Sequence, residues 1–239
     1  MSAIVQPLAL GLSERPVRKP WLGPRWRRFL RRGLVALAVG IVLRIFVGEA
    51  ALVPTSSMEG TILVGDHILV NKFAFGPEVP FTDWRLPRLR TVERGNIIAF
   101  HYPKDPTLNF LKRVIAVGGE TVEIRDGVVY VNHIPQREPY VVHTEPVWKR
   151  LGENMKPMVV PAGRLFVLGD NRDNSDDSRF WGTVPAENVI GEPLMVLWSY
   201  DAPSKAWLNE DTAFKLQFYS SIATHFFART RWRRTGTLL

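Results

Sequence analysis

The chain has 239 residues and no cysteine, which excludes disulfides, thiolate catalysis and cysteine-ligated metal. Histidine is scarce: His67, His101, His133, His143 and His225 are dispersed, with no HExxH and no close acidic cluster. A zinc site would have to be assembled from distant positions. Lysine is scarce too, with eight against 23 arginines. Acidic residues are missing from the ends: residues 1–32 hold eight Lys or Arg and only Glu14, and residues 225–239 hold four Arg and no acid. The overall +8 is thus exceeded by the +11 of the two ends, and the 192 residues between them carry a net −3. A nucleic-acid binder spreads cations over a folded face and interleaves aromatics, so this distribution argues against nucleic acid. A basic block before an apolar segment is what orients a membrane helix.

What is present points to a compact, mainly β protein. Hydrophobic residues make up 46% of the chain, ample for a core, and 18 Pro and 18 Gly are scattered without a period. Residues 34–53, LVALAVGIVLRIFVGEAALV, are long enough to cross a ~30 Å hydrocarbon layer. Arg44 and Glu49 interrupt them, leaving only Leu34 to Leu43 free of charge. Arg25, Arg27, Arg28, Arg31 and Arg32, with Trp21 and Trp26, form a cationic, aromatic collar on one side only, and such a collar holds the N-terminus in the cytoplasm. Arg44 can snorkel towards a headgroup. The rival is a cleavable signal peptide, for which Gly48-Glu49-Ala50 is a tolerable cleavage site; the long basic region favours an uncleaved anchor.

Segments of strand length follow, bounded by Gly, Pro and Asp: residues 66–75, 96–102, 110–117, 164–170 and 194–200. In VEIRDGVVYVN (122–132), Asp126-Gly127 between β-formers predicts a tight hairpin. Residues 133–163 carry prolines and few apolar runs and read as a small excursion attached to that hairpin. The stretch from about 207 is helical in pattern and ends in RTRWRR (229–234), either a solvated tail or a contact for anionic lipid headgroups.

Three features carry chemistry. Thr55, Ser56 and Ser57 lie directly after the apolar run, either as a polar exit turned by Pro54 or as a source of a nucleophile, which needs a base. In FLKRVIAV (110–117) a strand points Lys112 and Arg113 to opposite faces, and Lys112 shares its side with Phe110, Val114 and Ala116. A lysine buried there loses its proton more easily and becomes a general base, whereas one at a sheet edge only snorkels. GDNRDNSDDSRFWG (169–182) is dense in Asp, Asn and Ser. Its spacing does not fit a twelve-residue calcium loop, and its acids alternating with Arg172 and Arg179 suggest an internal ion-pair network.

These segments resemble the bacterial type I signal peptidases, the Ser/Lys leader peptidases of the S26 family. Four blocks match in order: VPTSSMEGTILVGDHILVNKFAFG (53–76), ERGNIIAFHYP (93–103), NFLKRVIAVGGE (109–120) and LGDNRDNSDDSRFWGTVP (168–185). The resemblance implies a membrane-bound serine endopeptidase that removes signal peptides from exported preproteins after small residues at −1 and −3, without metal or cofactor. It implies Ser57 as nucleophile, Lys112 as general base, and Thr55 Oγ1 with the Ser57 amide as oxyanion hole. Ser175 is implied to orient the lysine, and Asp170 with Arg113 and Asp177 with Arg179 to brace the site. Candidate pocket residues by block position are Val53, Met58, Ile68, Phe110 and Leu111.

The implied layout is a basic cytoplasmic segment (1–32), a transmembrane anchor (33–53), an antiparallel β catalytic domain (54–120 and 164–206), a small inserted β-hairpin subdomain (121–163) and a helical, basic tail (207–239). The catalytic domain is expected on the outer side of a bacterial inner membrane, with preproteins and the lipid bilayer as partners. Departures from the commoner family pattern are Thr55 in place of Ser, Ser56 in place of Gly or another residue, and Gly60 in place of Pro. The competing readings are a His-dependent serine hydrolase, and a membrane-tethered, non-catalytic β domain that binds preproteins or secretion partners.

Overall fold

The computed structural model describes residues 24–46, 48–76, 82, 84–146 and 152–239. The basic stretch 1–23, with Trp21, lies outside the described residues. Helix α1 runs Pro24–Phe46 and contains all five collar arginines and Arg44. Among the described residues no helix is long and apolar enough to cross a membrane.

The apolar run is divided between two elements. Strand β1, Gly48–Leu52, pairs antiparallel with β2, Asp66–Asn71, from Gly48 opposite Asn71 to Leu52 opposite His67. Residues 48–52, expected to close the anchor, are therefore the edge strand of a sheet. Glu49 forms an ion pair with Lys72, which gives the acid in this apolar stretch its partner.

The architecture is mainly antiparallel β. After β1 and β2 come β3 (Ile97–Tyr102), β4 (Asp105–Val117), β5 (Thr121–Arg125), β6 (Val128–Val131), β7 (Ile134–Pro135), β8 (Met155–Val159), β9 (Arg164–Leu168), β10 (Val184–Pro185) and β11 (Val189–Ser199). A seven-stranded sheet has the order β1-β2-β11-β3-β4-β9-β10, and a four-stranded sheet the order β7-β6-β5-β8. The Asp126-Gly127 turn joins β5 to β6, with Asp126 at φ 48° and Gly127 at φ 78°. Both residues take positive φ, as the type I′ turn favoured by a twisted hairpin requires.

Three apolar clusters fix this arrangement. Ile98, Phe100, Val114, Leu165 and Val167 form one, Ile115, Ala116, Val122, Phe166 and Leu168 a second, and Val53, Met58, Ile62, Ile68, Val70 and Val196 a third. Strands β4 and β9 supply both of the first two, which is why their stretches Val114–Val117 and Leu165–Leu168 are continuously apolar and do not alternate with polar residues. Ala116 does not share a side with Lys112 and Val114 as strict alternation predicts. The register of β4 against β9 shifts between Val114 and Ala116, sending Ile115 and Ala116 together into the second cluster.

Short helices α2 (Ser178–Trp181), α3 (Ser204–Leu208), α4 (Thr212–Thr224) and α5 (Phe226–Arg229) complete the chain. Residues beyond α5 do not trail as a tail. Arg234 forms an ion pair with the fully buried Asp66 and donates to Thr61 O at 3.0 Å, while Arg231 donates to Val64 O at 2.8 Å. Arg233 and Trp232 remain exposed, with Trp232 stacked on Phe227.

Candidate active site

Ser57 sits on a loop between β1 and β2 whose neck is closed by backbone bonds. Val53 N donates to Asp66 O and Gly65 N to Val53 O, both at 2.9 Å. Within the loop, Glu59 N donates to Ser56 O at 3.0 Å and Ile62 N to Met58 O at 2.9 Å, a tight turn pinned by the buried side chains of Met58 and Ile62. Gly60 takes φ +107°, and a Cβ there would lie 2.6 Å from Val142 Cγ2. Proline cannot adopt that φ, so this backbone path excludes the residue of the commoner pattern at this position.

Lys112 reaches Ser57 from β4, with Nζ 2.7 Å from Ser57 Oγ. Its side is shared with Phe110, whose ring centroid lies 5.5 Å from Nζ, and with Val114. Only 4% of Lys112 is exposed. Burial pushes its ammonium down from 10.5 to about 8, against the charges of Asp177, Asp176 and Asp170, which favour the protonated form; Arg179 adds to the lowering. A lysine with this pKa is substantially neutral at mildly alkaline pH, so it can take a proton from the hydroxyl it touches.

Arg113, on the opposite side of β4, forms a bidentate pair with Asp170, Nε to Oδ1 at 2.8 Å and Nη2 to Oδ2 at 2.7 Å. Its guanidinium also stacks 3.9 Å from the Tyr140 ring centroid. Asp177 holds Arg179 the same way, at 2.8 and 2.9 Å, and accepts from Gly169 N at 3.1 Å. Both pairs read from the fourth block are thus formed. The contact implied between Ser175 and Lys112 is not: Ser175 Oγ is buried without a hydrogen-bond partner. It is packed over Gly169, where a Cβ would come within 2.2 Å of Ser175 Oγ and 2.5 Å of Ser57 O. The missing side chain at 169 lets the two serine-bearing segments meet.

Thr55 is exposed beside Ser57, and among the described residues neither its hydroxyl nor the Ser57 amide has a hydrogen-bond acceptor. An apolar cleft of about 480 Å³ opens here, lined by Thr55, Ser57 and Lys112 together with Val53, Met58, Ile68, Phe110 and Leu111. No histidine lines it; His143, for example, is paired with Asp173.

Other supports had no assigned role in the sequence. Asn171 N donates to Ser57 O at 3.1 Å, Asn174 Nδ2 to Ser56 Oγ at 2.6 Å, and Thr61 Oγ1 to Asp170 Oδ2 at 2.6 Å. The excursion after β7 returns to the site, with Val142 N bonded to Asp170 O and Arg172 paired with Glu138 at 2.6 Å. Asn171, Asn174 and Arg172 stand in the fourth block, which signals that a network exists there. Thr61 and Glu138 carry no such signal.

Comparison with known proteins gives the class. The family model described as "Signal peptidase, peptidase S26" matches residues 26–198. Signal peptidase I of Pseudomonas aeruginosa is 34% identical over 200 residues, covering 70% of each chain. Signal peptidase I of Leptolyngbya laminosa is 39% identical over 171 residues, covering 69% of this chain and 74% of that one. The "Probable signal peptidase I-1" of Synechocystis is 32% identical over 207 residues, covering 82% and 91%. The chain belongs to the S26 signal peptidase family. It is a serine endopeptidase that removes signal peptides from preproteins.

Proposed function

We propose that Ser57 is the nucleophile and Lys112 the general base of this peptidase. The observation that carries the reading is the 2.7 Å bond between a cleft-lining serine and a buried lysine whose pKa is lowered to about 8. Neutral Lys112 accepts the Ser57 proton as Oγ attacks the carbonyl carbon of the scissile bond. The oxyanion that forms accepts hydrogen bonds from Thr55 Oγ1 and the Ser57 amide, two donors otherwise unengaged. The lysine then gives its proton to the departing amine, leaving an ester on Ser57, and the same neutral lysine activates the water that hydrolyses it. Every proton passes through Nζ, and no cofactor takes part.

The cleft supports the specificity. Val53, Met58, Ile68, Phe110 and Leu111 make its walls apolar around the serine, a surface suited to small apolar side chains at −1 and −3. Asp170 with Arg113 and Asp177 with Arg179 brace the segments that meet at Lys112. Ser175, whose buried hydroxyl lacks a partner, is read as the group that receives Lys112 once Ser57 is acylated; leaving such a hydroxyl unbonded costs about 1–3 kcal/mol.

α1 is read as the single anchor in a bacterial inner membrane, with its arginine-rich start in the cytoplasm and the β domain on the outer side. Supporting this are the one-sided arginine collar and the apolar stretch that follows it. Exposed Trp232 and Arg233 suit contact with anionic headgroups.

Cleavage of a secretory preprotein with alanines at −1 and −3, in detergent, tests the dyad. Ser57→Ala and Lys112→Ala are both expected to be inactive while folded. Cleavage surviving in either would remove that residue from the mechanism.

A further inference from the structure

Among the described residues, the charged members of the cleft lining are Lys112 and Asp176. They differ in every physical respect. Lys112 is buried and bonded to Ser57. Asp176 is exposed, and among the described residues its carboxylate makes no hydrogen bond or ion pair. Strict alternation along 175–177 explains the difference: Ser175 and Asp177 face inward and are buried, so the residue between them faces out.

The neighbouring charges cancel in pairs. Asp170 is neutralised by Arg113 and Asp177 by Arg179. When Lys112 gives up its proton to become a base, Asp176 is left as the single uncompensated charge among the described residues of the lining. The reactive form of the cleft is therefore anionic. The carboxylate also has aromatic company. Its charge reaches Tyr102 as well as Lys112, and the Tyr102 ring is stacked on cleft-lining Phe110 at 4.5 Å, with Trp181 edge-on at 5.6 Å. The cleft that Asp176 lines thus also presents the stacked Phe110–Tyr102 pair, and an anion and aromatic faces in one cleft attract cations.

We infer that Asp176 is a specificity-determining residue: it selects preproteins carrying a lysine or arginine beside the small residues at the cleavage site and disfavours those carrying an acid there. This rests on the assignment of Ser57 and Lys112 and adds a charged subsite to it. An extended substrate alternates its side chains, so those at −1 and −3 enter the apolar floor and those at −2 and +1 project the other way, towards the exposed carboxylate. The same carboxylate has a second effect on Lys112, whose surroundings are Asp170, Asp176, Asp177, Arg179 and the hydroxyl of Ser57. A positive side chain seated on Asp176 screens it, making the lysine easier to deprotonate when such a substrate is bound.

The test uses the full chain in detergent and preprotein substrates with Lys, Gln or Glu placed in turn at −2 and +1. For wild type, kcat/KM is expected to be about two- to fivefold higher with Lys than with Glu at one or more of these positions, the range for an exposed ion pair, and to lose that ratio at high salt. Asp176→Asn is expected to abolish the ratio and move the acid limb of the pH profile to lower pH, since an influence favouring protonated Lys112 is gone. Asp176→Lys is expected to invert the ratio. A Lys/Glu ratio unchanged in both variants would overturn the proposal, as would a wild type indifferent to charge at both positions. Ser57→Ala is run alongside: cleavage persisting there sinks the dyad itself, whereas its loss together with charge indifference sinks only the role of Asp176.

Discussion

Lys112 is surrounded by three carboxylates and is still an easy proton to remove, because burial outweighs their attraction. Activity is expected to rise with pH through about 8 as Nζ becomes neutral, and a flat kcat/KM profile from pH 6 to 9 would refute the lysine base. Lys112→Arg is expected to be almost inactive, since guanidinium does not lose its proton. The same shift has a thermodynamic face. The folded pKa of about 8 lies below the unfolded 10.5, so the unfolded chain binds more protons between those values, and the stability due to this group rises with pH across that window. Lys112→Met is accordingly expected to be more stable than wild type at pH 7, by up to about 3 kcal/mol, in urea unfolding. At Thr55, losing one oxyanion donor costs ~10² to 10³ in rate. Thr55→Val is expected to fall by that factor and Thr55→Ser to remain close to wild type; equal activity in Thr55→Val would remove the hydroxyl from the site.

The loops between strands tell which elements the sequence could reveal. Gly60 at φ +107° holds the nucleophile loop against Val142, and Gly60→Pro is expected to destabilise by about 1–3 kcal/mol, read as a lower Tm. The buried pair Glu138–Arg172 ties the excursion to the catalytic block; Glu138→Ala strands a buried guanidinium and is expected to cost about 3–5 kcal/mol. The strands and the Asp126-Gly127 hairpin were legible because each is written in a short stretch of periodicity or motif, whereas the meeting of Ser57 with Lys112 and of Asp170 with Arg113, 55 and 57 positions apart, was legible only through the family resemblance. Other contacts between distant segments were not. Thr61 on Asp170 spans 109 positions, and Glu138 on Arg172 joins a proline-rich excursion to a motif with nothing local to announce it. The edge strand Gly48–Leu52 was hidden for another reason: a half-apolar edge strand and the end of a membrane helix have the same composition, and only pairing with β2 separates them. Ala116 was misplaced because a bulge has no signature in a run that is apolar on both sides.

Across the whole molecule, charge is segregated: the arginine-rich start of α1 and the arginines of the C-terminal stretch flank a β domain that is net acidic. If α1 is the anchor, replacing Arg25, Arg27, Arg28, Arg31 and Arg32 with Gln is expected to weaken its orientation, and protease protection in vesicles would then show mixed sidedness of the β domain. The C-terminal arginines do a different job. Arg231 and Arg234 grip Val64, Thr61 and Asp66, the return limb of the loop that carries Ser57. Asp66 and Arg234 are separated by 168 positions. During synthesis Ser57 and Lys112 therefore leave the ribosome long before the clamp that steadies the Ser57 loop exists. A chain stalled before residue 231 carries Ser57 and Lys112 but lacks the arginines that hold the loop closed.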